Sequence, residues 1–174
     1  MPKIEKEIVI DSPSKKVWMV IEKHLENPQY PAEDEPEGPI RSLHGKPLSE
    51  QRKGVGTKTR WIYQLRTRKF VWDDIVVECT ENEKITWDAT STWKMKDSFI
   101  LTSISKEKTR LAYVMDYKLP YGILGKIYDR FFLRNSMEKY LEATLTRMKK
   151  VVEKLPQWMF CEIPSCFLNT QEHA

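Results

Sequence analysis

The stretch TRLAYVMDYKLPYGILGKIYDRFFLRNSMEKYLEATLTRMKKVVE, from Thr109 to Glu153, decides the fold because its hydrophobic period changes partway along. Up to Leu119, large apolar residues fall at every second position, and this period of two predicts a strand whose face carries Leu111, Tyr113, Met115 and Tyr117. From about Tyr121 to Leu155 the period becomes helical. A single stripe along that helix would collect Ile123, Ile127, Met137, Leu141, Leu145, Met148, Val152 and Leu155. The segment therefore predicts a strand followed by a long C-terminal helix.

The rest of the chain shows shorter versions of both patterns. Residues 3–10 alternate and predict a strand, and residues 11–25 have helical spacing with Pro13 near the start. Residues 27–56 are rich in Pro and Gly and predict a loop with a brief strand near Ile40–His44. Between Thr57 and Leu119, alternating segments joined by short polar turns predict five consecutive antiparallel strands. This order of elements predicts an α+β fold with helices on one side of an antiparallel sheet.

Composition and charge exclude several classes of function. The 29 basic and 25 acidic residues of this 174-residue chain are interspersed, so no nucleic-acid partner is expected. No apolar run is long enough to cross a bilayer, so we expect no stable membrane insertion. The alternating N-terminus is no signal peptide, which favours a cytoplasmic location. The histidines and cysteines lack metal-ligand spacing, so neither a metal nor a cofactor is expected. Cys161 and Cys166 are expected to be free thiols, and a disulfide between them is the alternative.

Three segments in order resemble the START-like helix-grip superfamily, the SRPBCC-type group of polyketide cyclase/dehydrase and lipid-transport proteins. They are IVIDSPSKKVWMVI from Ile8, GVGTKTRWIYQLRTRKFVWDDIVVECTENEKITW from Gly54, and the stretch quoted first. The resemblance implies a helix-grip domain over residues 1–155, in which a curved antiparallel sheet wraps around the long C-terminal helix. It also implies an apolar cavity between sheet and helix. The apolar tail, residues 156–174, has no counterpart in that family and is expected to pack on the domain or a partner subunit.

Aromatic side chains of the sheet, and the first half of the long helix, are expected to border this cavity. The predicted ligand-binding residues are Trp61, Tyr63, Trp87, Trp93, Tyr113, Tyr117, Ile127, Arg130, Phe131 and Arg134. Rings with polar tips suit a large planar or lipid-like ligand, although each ring alone could simply fill the core. The two arginines could instead pair with sheet carboxylates such as Asp74 or Asp116.

The sequence favours a non-enzymatic protein that binds or transports a hydrophobic small molecule, lipid-like or aromatic. The alternative is a cyclase or dehydratase acting on a polyketide-like or aromatic substrate, which needs an acid-base group in the cavity. Its candidates are Asp74, Arg130, Arg134 and Tyr113, while His24 is expected to be exposed. The apolar start of the long helix also raises a third hypothesis, a contact with another protein or a second copy in a homodimer.

Overall fold

Strands of one antiparallel sheet make up most of the structure, a computed structural model that describes residues 2–26, 40–65, 67–90, 94–120 and 122–156. Within these residues the strands are β1 (Lys3–Ile10), β2 (Ile40–Pro47), β3 (Lys58–Leu65), β4 (Arg68–Thr80), β5 (Lys84–Thr90), β6 (Lys94–Ser105) and β7 (Lys108–Lys118). Helix α1 (Ser14–Glu26) follows β1. The C-terminal helix consists of α2 (Gly122–Tyr128), a π-helical turn (Asp129–Leu133) and α3 (Arg134–Lys154).

The strand order across the sheet is β1-β7-β6-β5-β4-β3-β2, and every neighbouring pair is antiparallel. Strands β2 to β7 form a meander because each one pairs with the next along the chain. Strand β1 pairs with β7 and so extends the meander at its β7 edge, with Ile4 opposite Met115. The sheet is curved and wraps around the long C-terminal helix. The predicted α+β helix-grip architecture is therefore confirmed.

Helix α3 packs mainly near the β1 edge of the sheet. Its buried stripe consists of Met137, Leu141, Leu145, Met148 and Val152, as the helical period predicted. Burying each such side chain contributes about 1.5–3 kcal/mol. Two polar contacts tie the same edge to the helix: Lys6 Nζ lies 2.6 Å from Glu142 Oε1, and Lys149 Nζ donates to the Val9 carbonyl at 2.7 Å. The middle of the concave face is consequently left to other side chains.

The π-helical turn changes which residues of the C-terminal helix face the sheet. Gly125, Asp129 and Leu133 are buried in steps of four residues leading to Met137. In a plain α-helix of 3.6 residues per turn, such steps drift around the axis, but a π-turn takes up more residues and cancels the drift. The prediction that Ile123 and Ile127 belong to the buried stripe is therefore wrong, and these side chains are 76% and 50% exposed.

Two contacts fix the start of this helix against β7. The Tyr117 hydroxyl donates to a carboxylate oxygen of Asp129, and both side chains are buried. Gly125 lies so close to the preceding loop that a Cβ there would collide with the carbonyl oxygen of Pro120. The π-turn is thus anchored by a polar contact on one side and close backbone packing on the other.

We expect Tyr117→Phe to lower the free energy of unfolding by about 1–3 kcal/mol, because it leaves a buried carboxyl of Asp129 without its donor. Urea denaturation followed by circular dichroism measures the change. Tyr128→Phe is the matched control, since Tyr128 is exposed in the same helix and should change stability by less than about 0.5 kcal/mol. Equal effects of the two substitutions would show that the buried contact does not stabilise the turn.

Candidate ligand-binding site

Aromatic rings cover much of the concave face between β3 and β7. Because side chains alternate along a strand, one face of each strand points toward α3. The inward rings are Trp61, Tyr63, Trp72, Trp87, Phe99, Tyr113 and Tyr117. Ring centroids lie 4.7 Å apart for Tyr63 and Trp72, and 4.6 Å apart for Phe99 and Tyr113. The ring contacts form two groups on this face, one of Trp61, Tyr63 and Trp72 and one of Trp87, Phe99 and Tyr113.

Asp73 and Asp74 are neighbours in β4 and point to opposite faces, as the strand period predicted. Asp73 faces outward, where Arg60 binds it through two hydrogen bonds of 2.6 and 2.7 Å and lowers the pKa of its carboxyl. Asp74 faces inward, opposite Ala89 of β5. Desolvation, with a smaller contribution from the charge of Asp73, raises the pKa of Asp74 to about 7.

A second inward carboxyl, Asp97, lies on β6 between Trp87 of β5 and Met115 of β7. The Tyr113 hydroxyl donates to Asp97 Oδ2 at 3.5 Å. Desolvation raises the pKa of Asp97 well above its usual value, and the negative charge of Asp74 raises it further. The charge of Asp74 thus acts on Asp97, and the interior environment of both carboxyls favours the protonated form more than water does.

Helices α1 and α3 add polar groups opposite the sheet. The Tyr140 hydroxyl of α3 donates to the Tyr63 hydroxyl at 3.5 Å. His24 of α1 stacks on Trp61 with ring centroids 5.0 Å apart, so the prediction that His24 is exposed is wrong. Desolvation, followed by the charge of Arg147, lowers the pKa of His24 to about 3. The imidazole is therefore neutral at physiological pH and contributes no positive charge to the interior.

Several of these inward side chains are deep in the fold and still keep accessible surface. Asp74, Trp87, Asp97 and Tyr140 are only partly buried, although desolvation is the largest cause of the raised pKa of both carboxyls and of Tyr140. A group can be both surrounded by protein and accessible when it borders a hollow or a deep cleft. Ala89 contributes to such space because its methyl group stands inward between Asp74 and Met95.

The predicted site residues divide into two groups in the structure. Trp61, Tyr63, Trp87, Tyr113 and Tyr117 lie on the concave face, and Trp93 lies outside the described residues. The four residues predicted on the C-terminal helix are exposed: Ile127, Arg130, Phe131 and Arg134. Arg134 pairs with Glu138 at 3.1 Å, rather than with the sheet carboxylates considered from the sequence. A role of any of the ten in ligand binding stays a prediction.

Sequence reasoning missed Asp97, Tyr140 and Trp72 as members of the site. A signal for Asp97 is present, since it shares the strand period of Phe99 and Leu101, which are both buried. Tyr140 directly precedes the stripe residue Leu141, so it flanks the buried face of α3. The inward direction of Trp72 could not be read from β4, where both faces carry apolar and acidic residues.

Within the described ranges no three His, Cys, Asp or Glu side chains come together in a way that could hold a metal ion. Cys79, which packs beside the core, is a free thiol, whereas Cys161 and Cys166 lie outside the described residues. None of the described helices combines the length and the apolar character needed to span a membrane.

Comparison with known proteins bears on the fold. No protein-family model and no curated protein matches the sequence. Solved structures do match. The protein TTHA0849 from Thermus thermophilus has a TM-score of 0.69 at 17% identity, covering 87% of this chain and 97% of that chain. The Zhui aromatase/cyclase from Streptomyces sp. R1128 has the same TM-score and identity, covering 87% and 93%. A START superfamily protein from Mycobacterium smegmatis has a TM-score of 0.60 at 12% identity, covering 86% and 98%. The chain therefore has the START-like helix-grip fold.

Asp74 should make stability depend on pH. The unfolded chain releases this proton near pH 3.8 and the folded protein near pH 7, so stability falls as pH rises from about 4 to about 7. Asp74→Asn removes that loss. We expect the free energy of unfolding of Asp74→Asn, relative to that of the wild type, to rise by about 2–4 kcal/mol between about pH 4 and about pH 7. Above about pH 7 the difference should stay constant.

Urea denaturation at several pH values measures this gain. Asp88→Asn is the control, because Asp88 is an outward carboxyl of the next strand, 3.7 Å from Lys96, and should follow the wild-type profile. Parallel pH profiles for wild type and Asp74→Asn would contradict a buried, destabilising carboxyl.

Proposed function

We propose that the chain binds or transports a hydrophobic small molecule, aromatic or lipid-like, held between the concave face of the sheet and α3. The observation that carries this proposal is the set of deep inward side chains, including Asp74, Trp87 and Asp97, that keep accessible surface in a ring-covered interior. A fully packed core would leave such groups no accessible surface. The likeness of fold to the Zhui aromatase/cyclase supports a small-molecule ligand by analogy alone.

Burial of apolar surface would supply the binding energy. At about 25 cal/mol per Å², a ligand that buries roughly 200 Å² gains about 5 kcal/mol before ordering costs are subtracted. The rings of Trp87, Phe99 and Tyr113 are pre-positioned by their mutual contacts, with Trp87 and Phe99 centroids 5.4 Å apart. Pre-positioning reduces the ordering cost of binding, because these side chains have little freedom left to lose.

The exposed apolar ridge, defined as Ile123, Ile127, Tyr128, Phe131 and Phe132, is the surface on which a homodimer would form. Contiguous exposed apolar side chains of this size are typical of interaction sites. The homodimer remains a prediction. The same holds for the domain boundary at residue 155, the packing of residues 156–174 and the cytoplasmic location.

Ala89→Leu should block the proposed site, because the added side chain would enter the space between Asp74 and Met95. We expect the affinity for a neutral aromatic probe, naphthylethanol, to fall by at least about tenfold, which corresponds to about 1.4 kcal/mol. Isothermal titration calorimetry measures the affinity. Val71→Leu, on the exposed convex face of β4, is the control and should bind as the wild type does. If wild type and Ala89→Leu bind the probe equally, the ligand lies elsewhere.

A second candidate function is acid-base catalysis of the cyclase or dehydratase type. It is favoured by one observation, the presence of two interacting carboxyl groups inside the aromatic interior, with the pKa of Asp74 at about 7. A general acid works best when its pKa lies near the operating pH. Asp97, hydrogen-bonded to Tyr113, would be the second proton-transfer group. The name of the Zhui aromatase/cyclase supports the reaction class by likeness of fold alone.

If this second function holds, Asp74→Asn and Asp97→Asn should each slow the dehydration of a polyketide-like β-hydroxyketone by about 100-fold or more. Both variants should still bind the neutral aromatic probe, because they keep the rings that hold it. Absorbance of the conjugated product follows the rate, and Asp88→Asn serves as the outward-facing control. Binding without turnover in the wild-type protein would leave carriage as the function.

A further inference from the structure

The interior carboxyl pair, Asp74 and Asp97, presents hydrogen-bond acceptors that the described protein does not satisfy. Asp74 Oδ1 and Asp97 Oδ1 are enclosed by protein and have no hydrogen-bond partner among the described residues. Buried polar atoms are almost always hydrogen-bonded, because leaving one unsatisfied costs its full desolvation penalty. Two such atoms on the inward faces of β4 and β6, the strands that flank β5, indicate that something outside the chain completes them.

The charges that act on the same pair are negative. Asp73 acts on Asp74, and Asp74 and Asp116 act on Asp97. Arg60 is held by Asp73 on the convex face. The other groups that face the pair are the hydroxyls of Tyr63, Tyr113 and Tyr140, which carry no charge near neutral pH. The surroundings of the pair are therefore rich in acceptors, and Arg147, the cation described above, acts on His24.

An ammonium group on the ligand would supply both hydrogen-bond donors for the open oxygens and a positive charge beside the carboxyls. It carries the charge that would compensate a carboxylate, and up to three N–H donors for the open oxygens. Aromatic faces add a further attraction for a cation within about 6 Å of a ring centroid. Tyr113 already donates to Asp97, which places this carboxyl in the role of an acceptor.

We propose that the ligand is an apolar molecule that carries a protonated amine, with its ammonium group bound by Asp74 and Asp97 and its apolar body by the surrounding rings. This inference rests on the proposed function, because it names the chemical class of the molecule held between sheet and α3. A neutral carbonyl or hydroxyl compound is the competing class, and it would require both carboxyls to stay protonated in the complex.

Two probes of the same shape separate these classes. Naphthylethylamine and naphthylethanol share their ring and chain and differ in carrying an ammonium or a hydroxyl group. Titration calorimetry at pH 7 and physiological ionic strength should give at least about tenfold tighter binding of the amine, since a charge-assisted hydrogen bond is stronger than a neutral one. Asp97→Asn should abolish the preference while alcohol binding persists, and Asp74→Asn should reduce it. Asp88→Asn, on the convex face, should keep the full preference.

Each outcome decides one of the two proposals. Equal or tighter binding of the alcohol overturns the amine class and leaves the proposed function standing. A preference for the amine that survives in both Asn variants also overturns the role of the carboxyl pair. Failure of both probes to bind the wild type counts against the proposed function itself, and the amine class falls with it. Thermal unfolding monitored by circular dichroism checks that each variant is folded.

Discussion

The packing of α3 against the β1 edge is the contact on which the rest of the structure depends. Leu141, Leu145 and Val152 seal that side of the sheet, and Lys6 and Lys149 tie the helix to β1 by polar contacts. Since α3 lies near that edge, the ring-covered strands at the centre of the curved sheet pack less against it. The grip is therefore off-centre, and it leaves the ring-covered face to the proposed ligand.

The local environment also sets the pKa of the carboxyl groups on this sheet. Two adjacent residues of β4 show how strongly environment decides the behaviour of a carboxyl: Asp73, bound by Arg60 near water, ionises easily, whereas Asp74, one residue later and inward, holds its proton to about pH 7. A chain that only needed a core would place an apolar residue at position 74 and at position 97, because burying a carboxyl is costly. The placement of both carboxyls in an aromatic setting is the feature on which the proposed binding or acid-base role rests.

Much of the fold could be predicted from the sequence, because strand and helix periods are local and strong between Thr57 and Leu155. The inward direction of Trp61, Tyr63, Trp87 and Tyr113 followed from the same period. The π-turn could not be predicted, since its cause is a tertiary contact between Tyr117 and Asp129, and the exposed positions of Ile123 and Ile127 depend on it. His24 was misplaced for a similar reason: its ring is covered by Trp61, a residue 37 positions later in the chain (61 − 24).

The π-turn is equivalent to a single extra residue wound into an otherwise regular helix. If the segment Asp129–Leu133 were wound as ordinary α-helix with no residue removed, everything before it would rotate by roughly 100° about the axis. Ile123 and Ile127 would then swing toward the sheet and Gly125 away from Pro120. One extra residue in the helix thus decides whether its apolar ridge faces solvent and neighbouring molecules or the interior of the chain.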